Sequence, residues 1–136
     1  MGTTNYKNTF ISVAEDCPAI TAENPVEKNG KPTAASLQFK MIAKHPYKFD
    51  SDDVLFNVFA VKNEITKSEF EVQKEKFFMK VQPCFRASPL TKRYGWGVHS
   101  NEKGKIAIYP VESAEYKKLS TDKNLTQLKA MRSSKK

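Results

Sequence analysis

The stretch of residues 82–109, QPCFRASPLTKRYGWGVHSNEKGKIAIY, decides how this chain folds. It holds the only Trp, one of two Cys, one of two His and three of the five Gly. Residues 94–99 and 105–109 have the composition of two strands. The short loop between them contains Gly104, which is typical of a β-hairpin. The stretch therefore predicts two adjacent antiparallel strands.

The elements around this hairpin follow from short-range signals. Thr33 follows a proline and precedes apolar residues at helical spacing, which predicts a helix N-terminus. Thr66 and Glu69 form the pattern of a capping box. A strand remains the alternative for residues 54–61, which are rich in Val. The other predicted elements are a strand over 8–14, a loop over 19–31, helices over 33–43, 54–61, 66–81 and 113–119, a strand over 84–87 and a turn at 88–89.

The order of these elements indicates the fold class. One strand is followed by three helices, about three strands and a final helix. Helices and strands are thus segregated along the chain, which predicts an α+β fold with a small antiparallel sheet of about three to four strands and three to four helices. Residues 1–120 are expected to form this single domain. Residues 121–136 are expected to form a polar, basic C-terminal tail.

Composition restricts the class of protein. No apolar run approaches the ~20 residues that a membrane span needs. The first residues lack the charged and apolar regions of a secretory signal, so we expect a cytoplasmic protein that does not contact membranes. Its two cysteines, Cys17 and Cys84, are then expected to be free thiols.

The charge is distributed unevenly. The net charge is +8, yet residues 1–68 carry eight basic and eight acidic side chains. Residues 69–136 carry fifteen basic and seven acidic side chains. A one-sided basic surface attracts nucleic acid or other anionic ligands. The alternative is that the charge serves solubility alone.

The basic cluster inside residues 82–109 is the predicted binding site. Basic side chains neutralise phosphates, and exposed aromatic faces stack on bases. In an extended strand, Gly95 and Gly97 leave a bare face that a flat ligand or a neighbouring backbone can approach. The alternative is that Tyr94 and Trp96 fill the core and that the glycines accommodate a bulge or a packed helix. The predicted ligand-binding residues are Arg86, Lys92, Arg93, Tyr94 and Trp96.

Catalysis and metal binding have weaker support. Cys84 and His99 are the candidates for a nucleophile and its base, because a thiol needs a base or a positive field to ionise near neutral pH. No nucleophile motif surrounds Cys84. Together with Cys17 and His45 these residues could supply four metal ligands, but they come from four separate places without paired spacing. We therefore predict no metal and no cofactor.

Five segments of the chain resemble one family of short bacterial proteins that is known only as a domain of unknown function. They are TNYKNTFISVAEDCP, SDDVLFNVFAVKN, KEKFFMK, FRASPLTKRYGWGVH and KIAIYPVESAEYKKL, in collinear order. The similarity covers most of residues 4–132. It implies a small cytosolic bacterial protein and assigns no role to any residue.

The sequence thus favours a binding module with a basic face for an anionic ligand or nucleic acid. A small enzyme that uses Cys84 and His99 is the alternative. A homodimer, formed through a sheet edge or through the surface around Trp96, is compatible with either function.

Overall fold

The computed structural model describes residues 3–133 and contains five α-helices and four strands. The presence of both helices and strands confirms the predicted α+β class. In chain order the elements are β1 (Thr9–Ser12), α1 (Ala34–Lys44), α2 (Ser51–Lys62), α3 (Phe70–Met79), a 3-10 turn (Phe85–Ala87), α4 (Pro89–Lys92), β2 (Trp96–Ser100), β3 (Ile106–Pro110), α5 (Ala114–Ser120) and β4 (Thr126–Lys129).

Capping residues fix the first two helices. The Thr33 side chain accepts a hydrogen bond from the backbone N–H of Ser36, and the Ser36 side chain accepts one from the backbone of Thr33. Asp50 and Asp53 form the same reciprocal pair at the start of α2. Each box satisfies N–H groups that have no partner inside the helix. The helix prediction for residues 54–61 is confirmed, and the strand alternative is wrong.

Helix α3 begins later and ends earlier than the sequence predicts. Only half of the expected capping box forms: the Glu69 carboxylate accepts from the backbone N–H and the hydroxyl of Thr66, and Glu69 itself is the N-cap. The helix ends at Met79, so Val81 lies beyond it and is 95% exposed. Of the apolar residues in the predicted helix, the three phenylalanines Phe70, Phe77 and Phe78 therefore lie on α3 and Val81 does not.

The segment before the hairpin is helical, so the predicted strand over 84–87 and the predicted simple turn at 88–89 are wrong. Ser88 caps α4 by accepting from the Leu90 N–H, and Pro89 occupies the first helical turn, where a missing N–H is tolerated. The buried Thr91 hydroxyl donates to the carbonyl oxygen of Phe85 over 2.7 Å and so ties α4 to the 3-10 turn. These polar contacts outweigh the strand propensity of the segment.

The sheet has the strand order β3-β2-β1-β4. The hairpin of β2 and β3 is antiparallel, as predicted, and β1 also pairs antiparallel with β2. Strand β4 pairs parallel with β1, so the sheet is mixed rather than wholly antiparallel. This strand falls within residues 121–136, where a tail was expected. Its sequence TQLK has one apolar residue, and three of its four side chains are exposed.

The two faces of the sheet are covered differently. One face contributes Ile11, Val98 and Ile106 to the main core, which is completed by residues from α1, α2, α4 and the 3-10 turn. A second cluster joins α2 to α3 through Phe56 and Phe78. The other face of the sheet lies under α5.

Candidate functional site

Helix α4 positions the predicted basic cluster. Lys92 is its last residue, and Arg93 follows as the C-cap, donating its backbone N–H to the carbonyl oxygen of Pro89. Arg93 is exposed, and Lys92 and Tyr94 are half-buried. The carbonyl oxygen of Thr91 accepts from the N–H of Ala14, so α4 is held against the end of β1. The local fold thus presents two adjacent cations near the end of β1.

Arg86 connects this cluster to β4. Its Nε–H donates to the carbonyl oxygen of Lys129 over 2.7 Å, and its own carbonyl oxygen accepts from the N–H of Met131 over 2.6 Å. Part of the guanidinium therefore supports the fold. The same bond brings the Lys129 backbone to Arg86, which sequence reasoning missed because it treated the C-terminal residues as a tail.

Only two ion pairs form among residues 3–133, and neither uses Arg86, Lys92 or Arg93. One joins Lys40 to Glu27. In the other, the Lys129 ammonium lies 3.9 Å from the Glu15 carboxylate, and both side chains are more than 60% exposed. Exposed pairs of this kind contribute little to stability. The charges of the cluster are thus largely uncompensated by neighbouring carboxylates.

Trp96 has a structural role. Its Nε1–H donates to the carbonyl oxygen of Glu23 over 2.8 Å, and its ring centroid lies 5.1 Å from that of Phe39. The N–H of Glu23 in turn donates to the carbonyl oxygen of Tyr94. Trp96 is half-buried and packs against the main core. The ring therefore fixes the loop before α1 to the sheet.

The face next to Trp96 that was expected to be bare is occupied. A Cβ atom at Gly97 would lie 2.5 Å from the Phe10 ring and 2.6 Å from the Tyr116 ring. Gly95 has a φ of +83°, and its missing side chain leaves room for the backbone of Ala22. Of the two alternatives, a flat ligand or a neighbouring part of the chain, the chain itself takes the space.

Cys84 and His99 do not come together. The Cys84 Sγ shares a hydrogen bond with the Tyr6 hydroxyl at 3.2 Å, and Tyr6 packs against the main core. Burial, with the hydrogen bond to Cys84, raises the pKa of Tyr6 to about 12. The His99 side chain lies on the opposite face of the sheet, because it alternates with Val98, which faces the main core. The expected nucleophile and base therefore contact different tyrosines.

A second polar cluster surrounds His99. The Tyr47 hydroxyl lies 2.7 Å from both His99 Nδ1 and the Tyr109 hydroxyl. Burial lowers the pKa of His99, an effect that the charge of Asp122 opposes, and burial raises the pKa of Tyr47. In the neutral tautomer that carries its proton on Nε2, His99 Nδ1 accepts from the Tyr47 hydroxyl, which then accepts from Tyr109. This chain of bonds holds Tyr47 at a φ of +60°, a conformation that is strained for a tyrosine.

Metal binding finds no support in the described part of the chain. Residues 3–133 contain no group of three or more His, Cys, Asp or Glu side chains that could hold an ion. Cys17 packs against the main core, and His45 caps the end of α1, with its ring edge-on to Phe49. No helix within the described range is long and apolar enough to cross a membrane.

These features define a small α+β protein with a mixed four-stranded sheet and a basic cluster that follows helix α4. The chain belongs to a family described as Family of unknown function (DUF6157), whose model matches residues 1–136. No curated protein and no solved structure matches the chain. The family membership confirms the resemblance seen in the sequence.

Proposed function

We propose that this protein acts by binding an anionic partner, with nucleic-acid phosphates as the ligand to test. We assign to the binding surface, called here the basic surface, the cations Arg86, Lys92, Arg93 and Lys129. Arg86 and Lys129 are linked by the bond from the Arg86 Nε–H to the Lys129 carbonyl oxygen. The observation that carries the proposal is that three of these four cations have no carboxylate partner among the residues of the described chain. The fourth, Lys129, has only an exposed contact with Glu15, which a polyanion could replace.

The arrangement of these side chains favours phosphate contacts over base recognition. Tyr94 lies beside the cations and is half-buried. Trp96 is engaged by Glu23 and Phe39, so we assign it to the fold and not to stacking on bases. Phosphate contacts fix the position of a nucleic acid but carry no sequence information. We therefore expect salt-sensitive binding with little sequence preference.

The test is binding of a fluorescently labelled single-stranded oligonucleotide, followed by anisotropy. Each neutralised phosphate contributes about 0.7 to the slope of log K against log salt for single strands. The double substitution Lys92→Gln with Arg93→Gln should therefore make this slope shallower by about 1.4. An unchanged slope would contradict the proposal.

A matched control removes the same amount of charge elsewhere. Lys28 and Lys31 are exposed on the loop before α1, and their backbones pair with each other across a tight turn. The double substitution Lys28→Gln with Lys31→Gln lowers the net charge equally. Its salt slope should match that of the wild-type protein. An equal loss in both variants would mean that overall charge, and not the basic surface, causes binding.

We also infer a cytoplasmic location in a bacterial cell. Cys17 and Cys84 are both free and neither is fully buried, which fits a reducing compartment. Fractionation of the producing cells should recover the protein with the cytoplasm. Recovery from an oxidising compartment would contradict this inference.

A further inference from the structure

Helix α3 exposes one face that nothing in the described chain covers. Its inner side holds Phe70, Phe77 and Phe78, whose rings lie 4.9 to 6.4 Å from that of Phe56 on α2. Its outer side includes two large apolar side chains, Val72 and Met79, which are 55% and 73% exposed. Apolar residues seven positions apart lie on the same side of a helix. The exposed residues on this side are Glu71, Val72, Glu75, Lys76 and Met79, and the exposed C-cap residue Lys80 follows them.

The charges on this face are arranged with opposite signs about its midpoint, between Glu75 and Lys76. From this midpoint towards the N-terminus, the exposed residues are the acid Glu75, the apolar Val72 and the acid Glu71. Towards the C-terminus, at the same separations along the sequence, they are the base Lys76, the apolar Met79 and the base Lys80. None of the four charged side chains takes part in either of the ion pairs found within residues 3–133.

We propose that this face binds a second copy of the chain, with the two α3 helices antiparallel about a two-fold axis. Antiparallel packing with the midpoints aligned sets Glu75 against the partner's Lys76, Glu71 against the partner's Lys80 and Val72 against the partner's Met79. A two-fold interface uses the same patch on both subunits and repeats every contact. Each acid then faces a base, and each exposed apolar residue faces another.

Other occupants fit this face less well. A parallel α3 pair would place like charges opposite each other, which costs free energy. A uniformly acidic segment would face Glu71 and Glu75, and a uniformly basic one would face Lys76 and Lys80. A groove of about 690 Å³ beside α3, lined in part by Phe59, Phe77 and Met79, adds apolar surface next to the same face.

The size of the contact limits its strength. Residues 71–80 extend about 14 Å along a helix axis. A single helix pair of this length buries less than the ~1,600 Å² of a typical stable interface. We therefore expect a reversible dimer whose population rises with protein concentration.

Charge reversal gives a direct test by sedimentation velocity. Glu75→Lys sets two lysines against the two lysines of an identical partner, and Lys76→Glu sets two acids against two acids. Each single variant should dimerise at least about tenfold more weakly than the wild-type protein. Both positions are exposed, so both variants should keep the wild-type circular dichroism spectrum.

Three further samples separate this arrangement from a general charge effect. An equimolar mixture of the two single variants should form a heterodimer, because lysines then face acids at both sites. The double variant, Glu75→Lys with Lys76→Glu, should dimerise again as well. Glu102→Lys, an exposed reversal in the loop of the hairpin, should leave dimerisation unchanged. A wild-type protein that stays monomeric near millimolar concentration, or a dimer that both single reversals leave intact, would overturn the proposal.

Discussion

Two regions of this molecule, the segment from Cys84 to Gly97 and helix α3, carry their polar groups in opposite ways. In the first segment the conspicuous side chains are mostly occupied: Ser88 caps α4, Thr91 bonds Phe85, and the Trp96 N–H bonds Glu23. On α3 the outward charges have no ion-pair partner in the described chain. An unusual residue type therefore points to a binding role only if its polar atoms remain free after folding.

The same contrast separates residues within the first segment. Within residues 3–133, Lys92 and Arg93 form no ion pair, whereas Arg86 uses one N–H to hold β4. The hydroxyl groups of Ser88 and Thr91, which lie between these cations in the sequence, form hydrogen bonds within the described part of the chain, whereas the charged groups of Lys92 and Arg93 do not. Function is therefore expected at the few side chains that the fold does not use.

The largest expected effect is a loss of stability when Gly97 is changed, because it packs against the rings of Phe10 and Tyr116. Gly97→Ala would place a methyl group 2.5 Å from the Phe10 ring, so the sheet face and α5 must shift. Overpacking of this kind costs about 1–3 kcal/mol. Urea unfolding at low protein concentration measures the change.

Met79→Ala, on the outer face of α3, is the matched control for this comparison. Its side chain is 73% exposed, so the free energy of unfolding of the monomer should stay within about 0.5 kcal/mol of the wild-type value. If Met79→Ala destabilised the monomer as much as Gly97→Ala, the contrast between the two regions would be wrong.

The next effect concerns the pH dependence of stability. Burial lowers the pKa of His99 in the folded state, so the unfolded chain binds a proton more readily. The contribution of His99 to the free energy of unfolding is then fully present above the ordinary histidine pKa of about 6.5. It is lost as the pH falls through the lower pKa of the folded state. His99→Gln removes the titrating ring, so the stability lost between about pH 7.5 and about pH 5.5 should shrink.

The control for this titration is His45→Gln. The His45 side chain is exposed at the end of α1 and lies outside the Tyr47 hydrogen-bond chain. The pH dependence of this variant should resemble that of the wild-type protein. A shrinkage in His45→Gln and none in His99→Gln would show that the cluster around Tyr47 does not govern the effect.

The smallest expected effect is on oligonucleotide affinity when Trp96 is changed. Base stacking on an aromatic side chain is worth about 1–3 kcal/mol by alanine substitution. Because the Trp96 ring packs on Phe39 and its N–H bonds Glu23, Trp96→Leu should lower stability but leave the affinity of the folded protein unchanged. A loss of affinity as large as that expected for a stacking residue would show that Trp96 belongs to the binding site.

Local signals predicted the parts of the fold that local contacts determine. The Thr33 cap, the helix over 113–119 and the hairpin around Gly104 each depend on residues a few positions apart. Strand β4 could not be predicted in this way, because TQLK becomes a strand only by pairing with β1, more than a hundred residues earlier. The short helix α4 was missed although its signals are local, because Ser88 followed by Pro89 is also typical of a turn; in the structure Ser88 is the N-cap and Pro89 lies in the first helical turn.

The candidate site was predictable to a similar extent. The cluster of Lys92 and Arg93 is visible in the sequence because its members are adjacent. The contribution of Lys129 depends on the pairing of β4, and the separation of Cys84 from His99 depends on which sheet face each contacts. The opposite charges of α3 are readable in the sequence, but their meaning requires knowing which side of the helix is exposed.

The most direct test of the central claim is the salt dependence of oligonucleotide binding by the wild-type protein. Four cations on the basic surface could neutralise up to four phosphates, which corresponds to a slope of about −2.8 for a single strand. We predict a linear decrease of log K with log salt, of roughly this slope or shallower, and the same affinity for unrelated sequences. Absence of binding at low salt, or binding that does not respond to salt, would contradict the account.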